Sequence, residues 1–520
     1  MAQSAECRRQ PPFRLIPPPA GFMNFHRCPV AQTVTCGGFR ESEADMYVKL
    51  WLKWFWGAVF GAMMLSAGAT ESPGPAPMVF CADLSALAAA KTGLVRHDAS
   101  FQPAFRQLID EADRALQLKP LSVMDKRQIP PSGDKHDFIS QAPYYWRDTN
   151  SPEGKYVRRD GERNPESGQD SDSGRFQKLC ATVHKLGLAY YLSGEEKYAA
   201  KAGELTRVWF LNPATRMNPN FNYGQGIPGE TEGRPTGLIS ARGLVRLVDG
   251  IGLLAGSKSW LAADQQGMLD WANRYLVWLT TSKIGRGEGA AQNNHGTYYD
   301  TQVVSLALFT GHRELAQKIL LEAREKRIAR PIEPDGREPL ELARTLSFNY
   351  SLFNLNALLD LATLSQNVGV DLWHYQTADG RSILKAAEFL GKYADSGQKW
   401  PFQQIHPITR GSFSEALLRA AAQYPQSNLK DELKFFSAAD LAKEVSRLSF
   451  KTADVPSVSG RSKPASQGRI KTSQFEEIII GQRSRKNGTL TGEPTQIEPA
   501  TIDLNITSGG MVQPGHRPGA

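Results

Sequence analysis

The sequence predicts an all-α protein whose helices pair into a curved array or an α/α toroid. Three observations carry that prediction. Apolar residues recur at helical spacing through most of residues 84–449, and strand-like alternation is almost absent. Helix-length segments also come in pairs joined by short turns, with long polar loops between the pairs. No clean repeat period emerges, which argues against a regular solenoid. At 520 residues the chain is ample for one large domain or two ordinary ones. Its 41% hydrophobic and 22% charged content is normal for a soluble globular protein.

The elements follow in order. Residues 46–53 carry Lys49 and Lys53, residues 54–69 are apolar, and the run ends Ser66-Ala67-Gly68-Ala69. That reads as a signal peptide with an Ala-x-Ala cleavage site; an N-terminal anchor helix is the alternative. The apolar part is short of the about 20 residues a membrane span needs. A signal peptide begins a protein, so translation is expected to start at Met46, with residues 1–45 a doubtful extension. Only Cys81 and Cys180 follow the cleavage site. Export permits a disulfide between them, and no Cys or His spacing suggests zinc.

Beyond a Pro/Gly-rich linker, helices are expected from residue 84 and over 105–118, where Pro120 stops the run. Residues 119–174 form a long polar and aromatic loop, and a loop of that length in a compact domain is usually functional or disordered. Helices are then expected over 176–192 and 195–211, divided by Gly194. A second loop, 212–235, is rich in Asn, Gly and Pro. Further helices are read over 236–254, 260–280, 296–310, 314–327, 339–366, 382–393, 412–423 and 430–449. Residues 451–520 turn to Ser, Pro, Gly and charged residues and are expected to be largely disordered. The catalytic unit should therefore occupy residues 82–449.

The net charge of +8 fits an anionic partner. Nucleic acid is the weaker choice among such partners, because no zinc-finger spacing, RNA-binding motif or phosphate-binding glycine loop is present. The segment Asn293-Asn294-His295-Gly296-Thr297-Tyr298-Tyr299 opens a helix although Asn and Gly are poor helix formers. Rule-breaking residues tend to sit at functional sites. Amides and an imidazole can bond a sugar carboxylate, and a phenol can move a proton. That set suits an enzyme that breaks an acidic polysaccharide without a metal, and no cofactor is expected.

Further motifs share this chemistry. Lys135-His136-Asp137-Phe138-Ile139-Ser140 precedes Pro143-Tyr144-Tyr145-Trp146. Gly224-Gln225-Gly226-Ile227-Pro228-Gly229 precedes Gly233-Arg234, and Glu341-Leu342-Ala343-Arg344 precedes Phe348-Asn349-Tyr350-Ser351. With the Asn-Asn-His segment, and in this order over residues 119–405, these motifs resemble the alginate lyase superfamily of polysaccharide lyases. The resemblance implies an incomplete α/α toroid, a barrel of helical hairpins with long substrate-binding loops. It also implies β-elimination on a 4-O-linked uronate polymer such as alginate.

Such a reaction removes the C5 proton and expels the 4-O-linked sugar, so the neighbouring carboxylate must be neutralised by fixed donors. Asn294, His295 and Arg344 are the expected donors, and Tyr350 the expected acid. Tyr350 serves as base too where proton and leaving group share a face, as in mannuronate; in guluronate a second group such as His295 is needed. The spacing of Arg344 and Tyr350, six residues, is one shorter than in some family members.

Each assignment has a bland rival. Asn293 is expected to cap its helix, His295 to be structural if not catalytic, Arg344 to pair with Glu341 if not with substrate, and Tyr350 to be a core aromatic if not the acid. Tyr144, Tyr145 and Trp146 are candidates for stacking on sugars or for packing the rim. Gln225, Arg234 and His136 contact substrate or tie down their own loops. Of Tyr298 and Tyr299, one is expected to face the cleft. A glycoside hydrolase would need two carboxylates flanking the bond, with Glu230, Glu232 and Asp300 the candidates. A non-catalytic glycan-binding protein would have lost one of the catalytic groups. The working expectation is a periplasmic or secreted monomeric lyase with no membrane span after cleavage.

Overall fold

A computed structural model describes residues 76–455, apart from 152, 169, 170 and 409. The N-terminal extension, the signal peptide and residues 456–520 of the expected tail lie outside the described residues. Residues 451–455 run along the domain, where the Ala453 N–H donates to the Leu418 carbonyl at 3.0 Å.

The architecture is all-α, an incomplete α/α toroid of helical hairpins. Helices α1 (Leu84–Val95) and α2 (Gln102–Leu116) lead into the long loop. The first hairpin pairs α3 (Asp172–Ser193) with α4 (Glu196–Thr206), divided by Gly194 in the left-handed conformation at φ 75°. Then come α5 (Leu244–Gly252), α6 (Ala262–Thr281), α7 (Lys283–Gly289), α8 (Asn294–Phe309), α9 (Arg313–Ala323), α10 (Pro339–Leu342) and α11 (Ser347–Ser365). Helices α12 (Ile383–Gly391) and α13 (Gly411–Gln423) follow, with short helical pieces to Leu448.

Helix α3 lies along α5, where Gly187 faces Gly250; a Cβ on either would strike the other helix's backbone, so the glycines set the close approach. Helix α8 packs against α6, α9 and α11, and every residue in it except His295 is buried. A helix enclosed on every side has no solvent face to mark with a polar stripe, and its Asp300, Thr301 and Gln302 are hydrogen-bonded inside the core. This explains why its sequence shows little amphipathic periodicity, and why His295 is the residue it presents outward.

Two departures from the expected elements matter. Residues 339–366 were expected as one helix, but the chain breaks between α10 and α11. Thr345 gives its N–H and hydroxyl to Asp160, and Ser347 N–H goes to the Gln403 carbonyl. These tertiary bonds replace helical ones, which turns Arg344 out of the helix. Residues 430–449 likewise fall into short pieces as Phe436 leaves the helical path to pack edge-on against Phe413.

The loop between α2 and α3 contains short strands. Strand β1 (Ile139–Gln141) pairs in parallel with β4 (Tyr223–Gly226), while β2 (Tyr145–Arg147) and β3 (Tyr156–Arg158) form an antiparallel hairpin with Tyr145 opposite Arg158. Phe138 plugs this loop into the core, 4.3 Å from the Phe221 ring. Buried Lys126 fixes its start, reaching Asp172 at 2.9 Å and the Val123 and Lys135 carbonyls.

Cys81 and Cys180 are both buried free thiols, so the disulfide considered from sequence does not form. No described helix is long and apolar enough to cross a membrane.

Candidate active site

The Asn-Asn-His segment is built as a helix start. Asn293 is the N-cap, its side chain accepting the His295 N–H at 3.3 Å, which supports the capping role expected for it. Asn294 is buried. Its backbone N–H and its side-chain amide donate to the two oxygens of Glu341, at 2.6 and 2.7 Å, and its Oδ1 has no partner. Burial pushes the Glu341 carboxyl up, opposed by the two Asn294 bonds.

Gly296 has a structural reason for its place. A Cβ there would collide with the Ala291 carbonyl and with the Arg327 guanidinium, which crosses to bond Gly289, Ala291 and Asp300.

His295 Nδ1 lies 2.7 Å from Glu288, a carboxylate buried at the end of α7. An ionised carboxylate only accepts, so in the neutral ring Nδ1 carries the proton and Nε2 keeps its lone pair. Nε2 has no partner among the described residues.

Arg344 and Tyr350 meet across the α10–α11 break. The Arg344 guanidinium lies 3.7 Å above the Tyr350 ring. Its Nε and Nη2 are held by Asp160 at 2.6–3.1 Å, so its ion-pair partner is Asp160 and not the Glu341 weighed from sequence. Burial pushes the Asp160 carboxyl up, but the Arg344 and Thr345 bonds outweigh this and hold it at about 2. The Tyr350 hydroxyl shares a 2.6 Å hydrogen bond with that of Tyr144. Burial and the neighbouring Tyr144 push the Tyr350 phenol well above its ordinary value, while Arg344 pulls the other way. Tyr350 therefore carries its proton at neutral pH, as an acid must.

The structure brings the expected catalytic residues together. Glu341, bonded to Asn294, stands within electrostatic reach of both His295 and Arg344.

The expected substrate-binding residues divide. Tyr144 joins Tyr350. Arg234 stacks 4.9 Å from the Tyr145 ring and bonds the Gln225 carbonyl and side chain, so these three form one closed set in the loop. Gln225 has a positive φ of 51°, held by a bond from its N–H to Ser140. Trp146 donates to the Glu162 carbonyl and stacks with Arg159. His136 is tied to the Arg216 carbonyl at 2.5 Å, the loop-anchoring alternative.

Tyr298 and Tyr299 correct the expectation that one faces the cleft. Both are buried, with hydroxyls on the Phe353 and Leu279 carbonyls, because α8 is enclosed on all sides. Of the hydrolase candidates, Asp300 is locked to Arg327, and Glu230 and Glu232 are exposed.

Glu288 and Asp160 were missed from sequence. Glu288 gave no signal in a glycine-rich stretch. The run Arg158-Arg159-Asp160-Gly161-Glu162-Arg163 gave one, being dense in charge inside an aromatic loop. Among the described residues no cluster of His, Cys, Asp and Glu could hold a metal ion.

The chain is similar to known alginate lyases. The family model for alginate lyase matches residues 122–400. An alginate lyase from Bacteroides ovatus is similar to this chain with 37% identity and a TM-score of 0.68; the match covers 72% of this chain and 99% of that one. An alginate lyase from Sphingomonas species A1 is 16% identical with a TM-score of 0.46, over 74% of this chain and all of that one. No curated protein matches the chain.

Proposed function

The chain belongs to the alginate lyase family, and from that premise we propose that it is a polysaccharide lyase that cleaves a 4-O-linked polyuronate by β-elimination. The observation that carries this reading is the pairing of a carboxylate-oriented imidazole, His295 on Glu288, with a half-buried phenol, Tyr350 under Arg344, joined through the Asn294–Glu341 contact.

In the proposed reaction a base takes the C5 proton of the uronate. The C5–H electron pair forms the C4–C5 double bond, and the C4–O bond breaks. The leaving oxygen takes a proton from the Tyr350 hydroxyl. His295 Nε2, with its lone pair free, is suited to remove the C5 proton where it lies opposite the leaving group. Where the two share a face, Tyr350 first gives its proton to water by way of the Tyr144 hydroxyl, which passes its own proton on, and the phenolate beneath Arg344 then takes the C5 proton and returns it to the leaving oxygen. The second Nδ2 hydrogen of Asn294 and the Nη1 group of Arg344 are the donors left for the substrate carboxylate. Such fixed donors stabilise the enolate-like charge that develops.

The hydrolase alternative finds less support, since the buried carboxylates Glu288 and Glu341 are each occupied by a neighbouring side chain. The leader-like residues 46–69 support a periplasmic or secreted enzyme.

The test is incubation of purified protein with polymannuronate, polyguluronate and glucuronan, following ultraviolet absorbance of unsaturated ends. Absorbance should rise on at least one polymer. Reducing ends appearing without absorbance would replace the lyase with a hydrolase.

A further inference from the structure

The loop that carries Asp160 holds a second arginine, Arg163, whose neighbouring backbone is pinned and whose charge is unspent. Residue 163 follows β3, and its backbone surroundings are stitched to the segment bearing Tyr144. Arg159 N–H donates to the Tyr144 carbonyl at 2.8 Å, Asn164 N–H to the Pro143 carbonyl at 2.7 Å, and the Asn164 side chain to the Tyr145 carbonyl at 2.8 Å. The half-buried Arg163 guanidinium stands within electrostatic reach of the Tyr144 and Tyr350 phenols and of Arg242.

The other guanidiniums around the phenol pair are engaged. Arg344 and Arg158 are held by Asp160, Arg234 by Gln225, and Arg242 by Gln177. Arg163 has neither a hydrogen bond nor an ion pair among the described residues. A partly desolvated cation without a counter-charge is unfavourable, and burial accordingly lowers its pKa. An arriving carboxylate would relieve that, and the planar fork suits a two-oxygen acceptor.

We infer that Arg163 is a specificity-determining residue that binds a uronate carboxylate beside the Tyr144–Tyr350 pair. This rests on the polyuronate reading above. It divides the work between two arginines: Arg344, tied to Asp160, sets the Tyr350 ring and offers Nη1 to the reacting uronate, and Arg163 adds a second hold on the polymer.

The test measures calorimetric binding of saturated uronate trisaccharides and their carboxyl-reduced analogues, together with lyase kinetics, for the full chain and for Arg163→Ala and Arg163→Lys. Circular dichroism and melting temperature check the fold of each variant. Arg163→Ala should raise Kd for the acidic trisaccharide and KM for the polymer by about 10- to 100-fold, with kcat changed far less. Binding of the carboxyl-reduced analogue should not move. Arg163→Lys should recover part of the loss, because it restores the charge without the fork.

Unchanged Kd and KM in Arg163→Ala would overturn the inference while leaving the lyase reading intact. So would a shifted pH profile of kcat with intact trisaccharide binding, which would mean that Arg163 acts only on the phenols. If the unsubstituted protein binds the acidic trisaccharide but lyses no polyuronate, the lyase reading fails, and the Arg163→Ala binding result still decides the inference. If it binds neither trisaccharide nor polymer, both fall.

Discussion

The site has a helix-borne half and a loop-borne half, and they are held in different ways. Asn294 and His295 sit at the start of a buried helix, each fixed by a buried carboxylate from a neighbouring element, Glu341 and Glu288. Tyr144, Asp160, Arg344 and Tyr350 come together from the loop hairpin and from the break between α10 and α11, and an ion pair with 15–18% exposed side chains latches them. The Asn294–Glu341 bonds are fully buried and His295 rests on a carboxylate seven residues away, whereas the latch is partly wet and joins segments 184 residues apart. The carboxylates that hold Asn294 and His295 are thus built into the core, and the groups proposed to meet a polymer are held by contacts between distant segments.

Removing chemistry from the loop half should have the largest effect. Tyr350→Phe takes away the proposed acid and should lower kcat by about 10³-fold, within the usual range for general acid–base groups. The ring, its stacking with Arg344 and the melting temperature should be kept. Full turnover by absorbance assay would remove Tyr350 from the mechanism.

Glu288→Gln probes the helix half. A glutamine can donate as well as accept, so the His295 tautomer is no longer imposed, and kcat should fall by about 10²-fold. The loss should be greatest on guluronate, where a separate base is needed. Equal loss on every polymer would instead mark Glu288 as a general support of the site.

Asp160→Asn tests the latch and should lower kcat/KM by about tenfold through misplacement of Arg344. Its acid dependence has a defined sign. The Asp160 carboxyl titrates at about 2 in the fold against an ordinary 3.8, so its stabilisation is present above about pH 4 and is lost as pH falls towards 2. Wild type should therefore be more stable than Asp160→Asn at neutral pH, with the two converging between pH 4 and 2. A constant difference down to pH 2 would show that the charge of Asp160 contributes nothing.

The same contrast explains what was legible in the sequence. Helix existence, the Asn293 cap and the Gly194 stop depend on local rules, and each is found in the structure. The break at 343–346 was illegible because Asp160, which pulls Thr345 out of the helix, lies 185 residues away. Glu288 was hidden for a different reason: a lone carboxylate carries no periodic signal, and only the turn into α8 brings it beneath His295. Gly296 was read as chemical when it makes room for Arg327. Tyr298 and Tyr299 were placed near the cleft by adjacency to His295, yet helical rotation turns successive residues to different faces, and here those faces are core.

That last point yields the smallest and most discriminating effect. Tyr299→Phe removes a hydroxyl bonded to the Leu279 carbonyl at 3.3 Å. An ordinary intramolecular hydrogen bond contributes about 1 kcal/mol net, so stability should fall by about that much in a denaturant titration. Turnover should not change, because the ring remains in the core and no proton path runs through it. The substitution matches Tyr350→Phe atom for atom, so comparing the two separates loss of a phenol as such from loss of the phenol under Arg344. A fall in kcat for Tyr299→Phe approaching that of Tyr350→Phe would overturn the assignment of α8 beyond His295 to the core, and would return its phenols to the active site.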